Sequence, residues 1–293
     1  MIDISPLSLL RRNPLKKVLD TERRMRENPA STARVVGIAS GKGGTGKSVL
    51  STNLAVLRAQ KGERVLLVDF DAGLANDHLL LGLAPQYDLG HVAEGQVSPA
   101  QAIVEGPHGL KLLSGGVGRH GLANPTRREL ERLFRALRPL EDQFDLILID
   151  HGAGIGYATL AHLAAATTLI VVTNHEITAL SDAYALYKRA RMVNPELHVG
   201  MVFNRVPDTA TADAAWQRFR DASRRFLGTQ PEHIGIVPAD SAVTASVDAR
   251  TPVCLHNPGS WSARALAEVA RWNRIDTSRS VTPFYERALR ALR

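Results

Sequence analysis

The chain has 293 residues, 44% of them hydrophobic, a formal net charge of +7 and one cysteine. That length and apolar share suit one large α/β domain or two small ones with a sizeable core. The lone Cys254 excludes a disulfide framework and leaves too few thiolates for an iron–sulfur carrier.

No run of 18 apolar residues and no apolar N-terminal core before a cleavage site occurs, so a soluble cytoplasmic protein is expected. The positive charge sits at the ends. Residues 1–35 carry eight Lys/Arg against four Asp/Glu and residues 271–293 carry six against two, which leaves the middle near neutral. Nucleic-acid binding through phosphate neutralisation usually requires a clustered basic face, so a nucleic-acid partner is disfavoured. Basic tails more often touch membranes or acidic partners, or are solvated.

In chain order, residues 1–32 read as an arm of mixed charge. Leu7, Leu10, Leu15, Val18 and Leu19 are spaced for one short amphipathic helix there, and Asn28-Pro29-Ala30-Ser31 is a linker. Residues 34–39 are a β-branched run suited to a buried strand, and 48–57 have helical apolar spacing.

Between them stands Gly41-Lys42-Gly43-Gly44-Thr45-Gly46-Lys47-Ser48, a match to the phosphate-loop pattern G-x-x-x-x-G-K-[S/T]. In that pattern glycines let backbone N–H groups close around phosphate oxygens, the late lysine (Lys47) meets the β/γ-phosphates, and the hydroxyl (Ser48) ligates Mg²⁺. With Val49, these eight residues form the expected ATP-binding set. Lys42 is surplus to the cradle, and a long cation at its mouth is expected to point outward, to a partner.

Further apolar runs at 64–69, 110–113, 146–150, 168–173, 199–204 and 234–237 alternate with helical patterns. Most are apolar throughout, as in strands covered on both faces, so the expected architecture is a doubly wound, mostly parallel α/β sheet. Ligands bind at the carboxyl ends of such strands. Asp69 and Asp71 follow the second run, and Asp150, followed by His151, ends Leu146-Ile147-Leu148-Ile149. Asp69 and Asp150, with Ser48, are the expected Mg²⁺ set, and Asp71 is expected to orient the attacking water. His78, His91, His108 and His120 are irregularly spaced and read as surface or loop residues, not metal ligands.

These motifs together resemble the MinD/ParA group of deviant Walker A ATPases across residues 34–272. Within it the chain is similar to the FlhG/FleN-type regulators of flagellar number and placement. That likeness rests on Leu74-Ala75-Asn76 leading into Leu79-Leu80-Leu81-Gly82-Leu83, on the 109–116 loop, on 177–186 and on Phe284-Tyr285-Glu286-Arg287.

The resemblance implies slow, dimer- or partner-dependent ATP hydrolysis. Two subunits would sandwich two ATP molecules, with Lys42 reaching the nucleotide of the other subunit. It further implies that Asn204, Pro238 and Asp240 flank the adenine, with an ordinary turn as the alternative for Asp240 and, less so, for Asn204, and that the partners are a flagellar transcription activator, a GTPase, or both. Chromosome or plasmid partition and division-site placement are the competing functions.

Two features depart from the pattern: His151 is bulky and titratable where a small residue is usual, and the arm lacks the Asp-Gln-Ala start, only Leu9-Leu10-Arg11 being similar. The division expected is an arm over 1–32, an ATPase domain over 33–272 and a basic tail over 273–293. In the tail, Phe284, Tyr285, Ala288, Leu289, Ala291 and Leu292 share one helical face, which fits either a membrane surface or the chain's own domain.

Overall fold

In the computed structural model, residues 33–71, 75–116, 125–277 and 282–293 are described. The arm over 1–32, with its proposed helix and linker, lies outside them, as do Ala72-Gly73-Leu74 and His120.

Val-, Ile- and Leu-rich runs form eight strands: β1 (Arg34–Ala39), β2 (Val65–Phe70), β3 (Ile103–Glu105), β4 (Lys111–Leu113), β5 (Leu146–His151), β6 (Thr168–Thr173), β7 (His198–Val206) and β8 (Glu232–Pro238). They join in one sheet in the order β3-β4-β2-β5-β1-β6-β7-β8. Every pairing is parallel except β3 with β4.

Side chains of each strand alternate between two cores. Val35, Ile147, Ile149, Leu169 and Val171 face one, closed by helices Arg127–Leu137, Tyr157–Ala165, Ile177–Val193 and Thr209–Leu227. Val36, Ile38, Leu146, Leu148 and Ile170 face the other, closed by helices Lys47–Ala59 and Trp261–Val269. The expected doubly wound sheet is therefore present. β3 is an addition: three residues directly after the Pro99–Ala102 turn of helix are too short to show a periodicity, and they hold an edge by pairing Glu105 with Lys111.

The expected boundary at 272 does not separate a free tail. Ile275 is buried, and Asp276 accepts hydrogen bonds from both Arg34 at the start of β1 and Arg58 at the end of the first helix. Helix Phe284–Ala291 lies on helices Arg127–Leu137 and Tyr157–Ala165 with Phe284, Tyr285, Ala288 and Leu292 buried.

The buried Glu141 carboxylate accepts the N–H groups of Phe284 (2.8 Å) and Tyr285 (2.9 Å), satisfying donors that every helix start leaves over. In this structure the amphipathic face lies on the chain's own domain. Among the described residues no helix is long and apolar enough to cross a membrane.

Candidate functional site

The glycine loop connects β1 to helix Lys47–Ala59, and its sequence explains its shape. Gly44 (φ 78°) and Gly46 (φ 84°) are left-handed, a conformation costly for other residues. Gly46 is also the residue before the helix. It offers no side-chain cap, and the first turn holds no acidic residue, so the helix-start N–H groups and the positive end of the dipole remain for an anion.

A Cβ on Gly46 would stand 2.2 Å from Asn204 Nδ2, which donates to the Thr45 carbonyl at 2.8 Å. Arg205 Nη1 donates to the Gly44 carbonyl at 2.8 Å. The end of β7 thus holds the loop from below, a role for Arg205 that sequence reasoning missed. Gly41 has another reason to be glycine: a Cβ there would lie 2.2 Å from the backbone of Asp182 in helix Ile177–Val193.

The two lysines of the loop go to different places. Lys47 is buried, with Nζ 2.7 Å from Asp150 Oδ1 and 3.4 Å from Ser48 Oγ. Burial disfavours its charge, but the charge and hydrogen bond of Asp150 outweigh that, and its pKa lies above the usual lysine value. Lys42 leaves the cradle, as expected from its position. Its exposed Nζ rests on Glu176 Oε2 (3.2 Å) and Thr178 Oγ1 (3.0 Å), at the start of helix Ile177–Val193.

Strand parity sorts the acidic residues. Asp69 and Asp150 are paired in register on neighbouring strands and face the side of helix Lys47–Ala59. Asp150 accepts from Lys47, from Ser48 Oγ (2.7 Å) and from Ser51 Oγ (2.9 Å), while Asp69 accepts the N–H groups of Asp71 (3.0 Å) and Asp77 (3.2 Å).

Asp77 completes the group and was not among the expected residues. The only local signal is an acidic residue after Asn76, which reads as the first turn of helix Asp77–Leu80. It is fully buried, and metal-ligating atoms of Asp69, Asp77 and Asp150 all lie within 4.8 Å of one another. Burial, then the Asp150 charge, pushes the Asp69 carboxyl up to about 7, and burial with the Asp150 and Asp69 charges pushes Asp77 well above the carboxylate range.

His151, one residue past Asp150, faces the opposite core and packs 5.1 Å from the His162 ring. Burial, and then Lys47, brings its pKa down to about 3, so it is neutral at physiological pH and turned away from the loop. As a titratable residue it therefore stays neutral, buried on the face of the sheet opposite Asp150.

Two adjoining cavities surround the loop and share Gly46, Val49 and Val247. The first, about 550 Å³, is lined by Gly43, Gly44, Thr45, Lys47, Ser48 and Asp71; the second, about 600 Å³, by Asn204, Pro238 and Asp240. The first holds the phosphate-loop residues, and the second holds the residues expected to flank a base. Asp240, however, has both carboxylate oxygens engaged, by Ala242 N (2.9 Å) and by Ser262 N and Oγ (3.1 and 2.9 Å). Its side chain caps helix Ser241–Asp248, as in the turn reading of this residue, and it lines the second cavity.

Comparison with known proteins agrees with this geometry. Residues 36–253 match the model of the CobQ/CobB/MinD/ParA nucleotide binding domain. The antiactivator FleN of Pseudomonas aeruginosa is 29% identical over 81% of this chain and 85% of its own. The flagellum site-determining protein YlxH of Helicobacter pylori is 29% identical over 83% and 82%.

Two solved structures superpose with a TM-score of 0.66. The cell division ATPase MinD of Pyrococcus furiosus is 28% identical, covering 81% of this chain and 97% of that one. The septum site-determining protein MinD of Pyrococcus horikoshii, complexed with Mg-ADP, is 26% identical, covering 81% and 94%.

Proposed function

Because this chain belongs to the CobQ/CobB/MinD/ParA nucleotide-binding family, we propose that it is an ATP-dependent dimerisation switch that regulates the number or placement of flagella. It takes ATP with Mg²⁺. The loop amides and the start of helix Lys47–Ala59 hold the phosphates, Lys47 serves the β/γ end, and Ser48, Asp69 and Asp150 would hold Mg²⁺. When bound, the ion would supply neutralisation of phosphate charge. Asp71, on the wall of the phosphate cavity, orients the water for slow hydrolysis.

The observation that carries this reading is the division of the two lysines. Lys47 is enclosed with its own loop, whereas Lys42 is exposed outside it, where a second subunit can meet it. A triphosphate carries about four negative charges, and a cation from across an interface supplies what one subunit lacks. Dimerisation is then the signal, and hydrolysis resets it.

The flagellar reading is supported by the likeness to FleN and YlxH, and the name antiactivator supports sequestration of a flagellar transcription activator by the ATP dimer. A partner GTPase acts in the same assembly. Placement of the division site is the second reading, favoured by the likeness to MinD. Deleting the gene and imaging both flagella and septa tests the choice. Altered flagellar number with normal septa supports the first reading, and misplaced septa with normal flagella supports the second.

A further inference from the structure

The acidic group beside the loop holds more carboxylate than a nucleotide-borne cation requires. Asp77 is fully buried, and neither of its carboxylate oxygens has a hydrogen-bond partner among the described residues. Leaving such a group unpaired costs its full desolvation penalty. Its two neighbours are supplied with donors: Asp69 by two backbone N–H groups, Asp150 by Lys47, Ser48 and Ser51. Among the described residues, the one cationic side chain hydrogen-bonded to the three is the Lys47 ammonium, and it lies on Asp150, not on Asp77.

We propose that Asp69, Asp77 and Asp150 form a direct divalent-cation site that loads without nucleotide. All the donors are carboxylate oxygens, with no thiolate and no imidazole among them, which selects hard ions such as Mg²⁺, Mn²⁺ or Ca²⁺ over zinc or copper. An ion about 2.1 Å from each of three oxygens sets them about 3 to 4.2 Å apart. The three ligand atoms already lie within 4.8 Å of one another, and a bound ion would draw them closer.

The cation also competes with Lys47 for Asp150 Oδ1. Loading the site releases the ammonium towards the phosphate cavity that Lys47 lines, so the ion readies the loop before ATP arrives. The site itself stands on the three carboxylates and does not depend on the dimer reading.

The test uses the full chain, stripped with chelator and free of nucleotide, titrated with Mn²⁺ and followed by electron paramagnetic resonance and calorimetry. One Mn²⁺ per chain is expected, with affinity falling at least tenfold in Asp77→Leu and Asp77→Asn. Mn²⁺ should raise the melting temperature of the native chain and leave that of Asp77→Leu unmoved. Lys47→Met should bind Mn²⁺ more tightly, because its competitor is gone, a result that a purely structural Asp77 does not give. Ser48→Ala should keep the nucleotide-free Mn²⁺ site while weakening Mg-ATP. Absence of Mn²⁺ binding without nucleotide, or equal affinity in folded Asp77→Leu, overturns the proposal.

Discussion

The ammonium of Lys47 lies 2.7 Å from Asp150 Oδ1, with both side chains buried. A phosphate chain can recruit Lys47 only by drawing it off Asp150, and the freed carboxylate then needs another cation. The two events are coupled through one hydrogen bond. Lys47→Ala should therefore abolish nucleotide binding. It should also destabilise the metal-free protein by about 3–5 kcal/mol, the scale of breaking a buried pair. Nucleotide titration and urea unfolding of the same variant check both effects.

Lys42 is a different case, since its partners Glu176 and Thr178 are exposed and the loop does not need it. Lys42→Ala should bind nucleotide within about twofold of the native chain and lose both the ATP dimer and turnover. Glu176→Ala releases the lysine and should lower the protein concentration at which the ATP dimer forms. Sedimentation with and without ATP reads both, and native-like dimerisation of Lys42→Ala refutes its role in trans.

The C-terminal helix behaves as part of the core. Phe284→Ala should cost about 3–5 kcal/mol, in the range for large-to-small core changes. Glu141→Ala should cost about 1–3 kcal/mol by leaving two buried N–H groups unpaired. A free membrane tail would show neither loss, so denaturant midpoints of the two variants decide the matter.

The Arg64 guanidinium, with its backbone N–H, holds Asp145 down to about 2, below the ordinary value of 3.8. A depressed carboxyl contributes stability that is present above the unfolded pKa and disappears as pH falls through the folded one. The window is therefore about pH 4 to 2. Because the pair is exposed, solvent screening limits the effect to below about 1 kcal/mol. Asp145→Asn should be destabilising at pH 7 and neutral near pH 2, as measured by unfolding at both.

The parts of this molecule that sequence shows most plainly are those in which one local run has one use. The loop over Gly41–Ser48 and the apolar strands are of that kind, since the glycines answer to φ angles and close approaches, and the strands to burial on both faces. His151 was also within reach, because a period of two puts it opposite Asp150.

Asp77 was not, since beside Asn76 it looks like a helix-start acid; the β2–β5 register pairs Asp69 with Asp150, and the fold then places Asp77 on them with its N–H donating to Asp69. The terminal helix has an apolar face that fits a membrane or a domain equally well. The domain packing seen here rests on Glu141, some 143 residues away from Phe284 in sequence.

The central claim is that ATP drives self-association, and mass measurement by light scattering on a sizing column tests it most directly. With Mg²⁺ and a non-hydrolysable triphosphate the native chain should run at twice its monomer mass, and with ADP as a monomer. Asp71→Ala should remain dimeric with ATP itself. A chain that stays monomeric while saturated with the triphosphate contradicts the account.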